Sequence, residues 1–149
     1  MSYFWTKGDD TMLSLVRTEE VAAPNGEAGY SRAEIEAMQR TVGAIFARWG
    51  ISDVDAAVIL GGISAKTFRR WRDGEYGRVN RDLADRLSYV IGIHRALRII
   101  FAEPAQGYGW MGRPNAELDG LTPVQLLMRG GMDDLRRLRR YLDAVRGGW

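Results

Sequence analysis

A chain of 149 residues, 46% hydrophobic and 27% charged, can bury one core or two small cores packed together. It has no cysteine and one histidine, which excludes disulfides and thiolate metal sites and leaves almost no material for a metal cluster or a Cys/His or Ser/His/Asp centre. The net charge of +2 conceals an asymmetry: residues 1–36 hold Lys7, Arg17 and Arg32 against seven acidic residues, whereas residues 64–81 hold Lys66, Arg69, Arg70, Arg72, Arg78 and Arg81 against Asp73 and Glu75. A basic concentration of this kind suits a polyanion partner, and it equally suits a solvated helix face. No apolar run approaches the roughly 18 residues that span a bilayer. The N-terminal MSYFWTKGDD lacks a basic segment leading into an apolar one, so a cytoplasmic protein with no membrane partner is expected.

Residues 1–30 show little periodicity and contain Pro24, Asn25, Gly26 and Gly29. They read as an N-terminal arm, partly disordered, with a short extended piece at Met12–Arg17. Ser31 with Glu34 forms a capping-box signature, and Ile35, Met38, Val42, Ile45, Phe46 and Trp49 follow at helical spacing. Gly50 ends that helix. Ser52 with Asp55 repeats the signature for a short helix over 53–60. Gly61 and Gly62 turn the chain, Ser64 caps the next helix, and Gly74 follows its end. Asn80 caps a long helix to about Phe101, with Leu83, Leu87, Val90, Ile91, Leu97, Ile100 and Phe101 as its apolar stripe. A short helix is expected near 104–111, loops around Pro114, Asn115 and Gly120, and a helix from Thr122-Pro123 to about Arg129. A last helix near 132–146 places Leu135, Leu138, Leu142 and Val145 on one face and Arg136, Arg137, Arg139 and Arg140 on the other. No strand alternation competes, so the fold class is all-α.

The stretch ILGGISAKTFRRWRDG has the layout of a helix-turn-helix, two short helices joined by a tight glycine turn. Gly62 supplies the positive φ. Ile63 is the buried turn residue, and Phe68 and Trp71 lock the second helix inward. Ser64, Lys66, Thr67, Arg69, Arg70 and Arg72 are left outward or flanking. At the N-terminal end of a recognition helix, Lys66 or Arg69 suits a guanine edge, and Arg70, Arg72 and Arg78 suit phosphates. The same hairpin also serves for packing alone. His94 falls in phase with the long helix's apolar stripe and reads as a satisfied core or boundary residue. Asp133-Asp134 sit in a first helical turn, where acids favour the dipole. Nothing in the sequence argues for an enzyme, a metal or a cofactor. Trp149, after two glycines, is a large apolar side chain with reason to dock, on its own domain or on a partner.

The order of motifs resembles the Xre/MbcA/ParS family of antitoxins that pair with RES-domain toxins. The resemblance is carried by AAVILGGISAKTFRRWRDG, then Ile100-Phe101-Ala102-Glu103-Pro104, Trp110, Pro114-Asn115, and Gly120-Leu121-Thr122-Pro123 leading to Leu126-Leu127. It covers roughly residues 32–149; Met111 stands where the family usually has Leu, and Gly107 and Gly109 weaken the short helix. The resemblance implies an Xre-like helix-turn-helix domain at 31–101 and a toxin-binding C-terminal domain at 102–149. It implies neutralisation of an NAD-degrading RES toxin, repression of the chain's own operon and a homodimer. It further implies that Trp110, Arg113, Asn115, Arg139, Arg146 and Trp149 face the toxin, and that operator DNA meets Ser64, Lys66, Thr67, Arg69, Arg70, Arg72 and Arg78. The alternatives are a stand-alone helix-turn-helix regulator without a toxin partner, and an adaptor that binds no DNA.

Overall fold

The computed structural model describes residues 29–147. The expected extended piece at Met12–Arg17 and the docking of Trp149 fall outside them. The described residues form seven α-helices and no strand: α1 Arg32–Trp49, α2 Asp53–Leu60, α3 Ala65–Arg72, α4 Arg81–Ile100, α5 Pro104–Trp110, α6 Pro123–Leu127 and α7 Met132–Gly147.

The helix starts follow the caps. Ser31, Ser52, Ser64, Asn80 and Thr122 each accept a hydrogen bond from the backbone N–H three residues on, which satisfies one orphan donor of each first turn. At Ser31–Glu34 and Thr122–Gln125 the longer side chain returns the bond, closing full capping boxes. At Ser52 only the forward bond to Asp55 forms, because Asp55 is one methylene shorter than the Glu this motif needs. Gly50 ends α1 in the left-handed region at φ 72°.

A continuous core runs from Ile35 to Leu142. α4 is its spine. It packs on α1 and α2 on one side, and on α5 and α7 on the other. Three contacts give the α4–α7 register: Arg86 reaches Gly130, Tyr89 reaches Arg136, and Arg139 lies where a Cβ on Gly92 would stand. Both numbers rise together, so the two helices run parallel. A parallel pair needs a crossover, and residues 101–131 with α5 and α6 supply it.

Three expectations differ in detail. Ala116–Leu118 form a single 3₁₀ turn inside what reads as loop, and it buries Leu118. α6 ends at Leu127, two residues early, because Gly130 at φ 85° turns the chain. Val145 is in phase with the α7 stripe yet 45% exposed, as is Ile99 at 57%. By the register above, both lie at the same end of the α4–α7 pair, beyond the packed core.

Candidate functional site

The helix-turn-helix is assembled by two glycines and four aromatic rings. Gly61 has φ 60° with ψ 159°, and Gly62 has φ 67°. These are backbone states that side chains with a Cβ resist. The rings of Trp49, Phe46, Phe68 and Trp71 follow one another with successive centroids 5.9 Å apart. Phe68 is 1% exposed, and burying it contributes roughly 2–3 kcal/mol toward fixing α3 on α1. With the aromatic side of α3 locked inward, Lys66, Arg69, Arg70 and Arg72 project outward.

Two of these cations are not free agents. Asp53, the first residue of α2, receives Arg72 at 3.0 Å and Arg69 Nε at 3.6 Å. The arginine side chains remain about half exposed, so the pairs add little stability. Their effect is orientation: Asp53 restrains both guanidinium groups, Arg69 through its Nε. Ser64 Oγ accepts from Thr67 N–H and donates to Thr67 Oγ1. The Ser64 hydroxyl is thus committed to the cap, while the Thr67 hydroxyl keeps its own proton to give. Lys66 and Arg70 make no ion pair among the described residues. Arg78 is exposed in the loop before α4.

In the C-terminal half, Trp110 stacks on Tyr141 of α7, centroids 6.2 Å apart and planes 5° apart, and meets Phe101 at 6.4 Å. It is half-buried and anchors α5 to α7. Asn115 organises its loop: Oδ1 accepts from Glu117 N–H, its N–H donates to Leu121 O, and its carbonyl accepts from Leu118 and Gly120. Arg113 is exposed beside Gly109.

The arginine face of α7 is largely engaged within the chain. Arg136 bonds Asp133 and the Tyr89 hydroxyl, and these partners, Tyr89 foremost, hold its pKa above the ordinary arginine value. Arg137 bonds Asp119 and the Glu117 carbonyl. Arg139 chelates Asp143 through Nε and lies over Gly92 of α4. Arg140 and Arg146 are exposed and unpaired among the described residues.

One residue that the sequence did not single out ties the two halves together. Arg86 of α4 is 12% exposed. Its NH1 donates to Ile59 O at the end of α2 (3.0 Å) and to Gly130 O in the α6–α7 turn (2.8 Å), and its Nε bonds Asp82 (3.0 Å). Gly61 makes room for it, since a Cβ there would stand 3.1 Å from the guanidinium. Its sequence signal was a cation one turn from Leu83 and adjacent to Leu87, in phase with the stripe. His94 is buried, as expected of a core residue, with Nε2 3.4 Å from the Tyr108 hydroxyl, which also accepts from Arg48. Among the described residues, no group of three His, Cys, Asp or Glu could hold a metal, and no helix is long and apolar enough to cross a membrane.

Comparison with known proteins matches both halves. Residues 36–92 match the antitoxin Xre-like helix-turn-helix domain, and residues 96–148 match the antitoxin Xre/MbcA/ParS C-terminal toxin-binding domain. A protein of Sinorhizobium fredii, described as uncharacterized protein y4oB, is 35% identical over 127 residues, covering 85% of this chain and 95% of that one. In fold, the chain is similar to a chain of the M. tuberculosis MbcT–MbcA toxin–antitoxin complex, with a TM-score of 0.52 at 22% identity over 74% of this chain and 95% of that one.

Proposed function

The chain belongs to the Xre/MbcA/ParS family of antitoxins, and from that premise we propose that it neutralises a cognate NAD-degrading RES-domain toxin and represses its own operon. The reading divides the chain into an arm at 1–30, a DNA-binding domain at 31–101 and a toxin-binding domain at 102–149, and places it in the cytoplasm as a homodimer.

The observation that carries the toxin-binding half is the end of the α4–α7 pair. Ile99 and Val145 are exposed there, next to Arg146, and the chain continues into its last residues from that point. An exposed apolar pair with a flanking cation is what a partner needs to bury. The α7 tail with Trp149 then reaches the toxin and blocks its pocket, while Arg113 and Arg140 flank the contact. Trp110, Asn115 and Arg139 act by holding the surface in shape.

On the DNA side, α3 enters the major groove. Lys66 and Arg69 meet base edges, Arg69 being aimed by Asp53, and Thr67, Arg70, Arg72 and Arg78 hold phosphates. Ser64 fixes the turn from which they project.

The test is co-expression with the product of the adjacent gene, followed by pull-down, for the full chain and for a chain ending at Val145. The full chain is expected to capture and silence the toxin, and the shortened chain to fail to silence it. If neither form captures a partner, the toxin reading falls. Operator footprinting with Arg69→Ala and Arg70→Ala then separates a stand-alone regulator, whose binding these changes weaken, from an adaptor, whose behaviour they leave alone.

A further inference from the structure

The outer face of α3 meets no other helix among the described residues. It carries Lys66 and Arg70, which make no ion pair among those residues, beside Arg69 and Arg72, which share the single carboxylate of Asp53. Asp73 and Glu75 lie past the helix's C-terminal end. Positive charge is therefore in excess along the helix itself. Like charges on neighbouring turns repel, and an anion that settles among them relieves the repulsion.

The route to that face begins at α1. Phe46 meets Phe68, a Cβ on Gly43 would meet Arg72, and Gln39 donates to the Gly77 carbonyl. Rising numbers on α1 thus pair with falling numbers from α3, so the two run antiparallel. The first turn of α1, at Ser31 and Arg32, lies beyond the C-terminal end of α3. The preceding chain enters there, and Tyr30 packs on the core to fix the point of entry. Between that point and α3 opens a cleft lined by Arg40, Arg72 and Tyr76. Arg40 is exposed and makes no ion pair among the described residues.

The segment that enters at this point is acidic. Residues 1–28 hold Asp9, Asp10, Glu19, Glu20 and Glu27 against Lys7 and Arg17. Glu20 stands 11 residues before Ser31, a reach of up to about 36 Å. The path from Ser31 along α1 to Gln39, and then along α3, covers about 12 Å on each helix. Glu19 and Glu20 reach Arg70 and Lys66 with length to spare, and Asp9 and Asp10 reach further. We infer that residues 9–20 of the same chain lie on the basic face of α3, their carboxylates paired with Arg40, Arg70 and Lys66. On the DNA-binding reading proposed above, on which this consequence rests, the arm is a built-in competitor that duplex DNA must displace.

Zero-length carbodiimide cross-linking of the full chain tests the docking without DNA, because Lys66 is the one lysine outside the arm. At low salt, peptide mass spectrometry of the monomer is expected to find an amide between Lys66 and Asp9, Asp10, Glu19 or Glu20. Its yield is expected to collapse in about 1 M salt, where the screening length is about 3 Å. No such link overturns the inference, as does a yield that salt leaves unchanged, since a mere tether collides at any salt. Links confined to covalent dimers overturn the same-chain occupant in favour of a second copy's arm. Fluorescence anisotropy with a duplex of unrelated sequence then compares the parent with a full chain carrying Asp9→Asn, Asp10→Asn, Glu19→Gln and Glu20→Gln. The variant is expected to bind about tenfold more tightly at low salt, the gap closing as salt rises. Equal affinities overturn the competition. If neither chain binds DNA, the DNA-binding reading falls, and the Lys66 cross-link still decides where the arm lies.

Discussion

Replacing Arg86 with methionine keeps most of the side chain's apolar stem and removes the guanidinium that joins α2, α4 and the α6–α7 turn. The Asp82 partner is 59% exposed and returns to water at little cost. The two carbonyls cannot be substituted away. Ile59 is fully buried, and its carbonyl belongs to the last turn of α2, where no helical N–H remains to meet it. Gly130 O is held in the partly buried turn. Each carbonyl stripped of its donor costs about 1–3 kcal/mol, so the variant should lose roughly 3 kcal/mol in all. A buried ion pair can often be exchanged for apolar groups without loss. Here that escape is closed, because the acceptors are backbone. For a chain of this length the loss corresponds to a fall in melting temperature of roughly 10 °C. Thermal melts by circular dichroism, with urea titrations for the free energy, read it directly. Arg86→Lys, which can satisfy one carbonyl well, should fall between, and Asp82→Ala should change stability by less than about 0.5 kcal/mol. An Arg86→Met chain that melts with the parent would refute the reasoning.

Two further outcomes follow from the same region. Gly61→Ala should cost about 1–3 kcal/mol, since it combines a backbone state reserved for glycine with a collision against Arg86, while Gly62→Ala, with open space around it, should cost about 1 kcal/mol; denaturant midpoints that rank the two the other way would count against this account of the turn. Asp53→Asn releases Arg69 and Arg72 and removes a negative charge from the proposed DNA face, so stability should drop by no more than about 1 kcal/mol while affinity for duplex DNA of unrelated sequence rises and preference for the operator, which rests on an aimed Arg69, falls; an unchanged non-specific affinity measured by fluorescence anisotropy would show that Asp53 does not compete with phosphate.

Local chemistry was legible in the chain: the five caps, the glycine turn, the stripe of each long helix and the inward pair Phe68 and Trp71 all rest on neighbours within four residues. What was hidden depends on partners far along the sequence. Nothing near Asp53 marks it as the acceptor of Arg69 and Arg72. The arginines of α7 read as a solvated basic face, yet Arg137 is spent on Asp119, 18 residues back, and Arg139 lies over Gly92 of α4. Gly92 is the signal of that approach in the sequence, because a glycine in a helix interior sacrifices about 1 kcal/mol of propensity and usually does so for close approach. Val145 kept the period of α7, but period alone cannot say where the opposing helix stops.

The parallel seating of α7 on α4 has a temporal side. Tyr89 and Arg136 meet across 47 residues, and closing a loop of that length costs on the order of 3 kcal/mol before any contact repays it. The helix-turn-helix, closed by short connections, has no such delay. During synthesis α7 emerges after the helices it packs against, so a nascent chain holds α1 to α3 while the flank of α4 that α7 covers is still bare apolar surface. Each molecule thus passes through an age at which the half that matches the helix-turn-helix domain has its shape and the half that matches the toxin-binding domain does not, and a protease acting within that interval meets the chain at its most vulnerable.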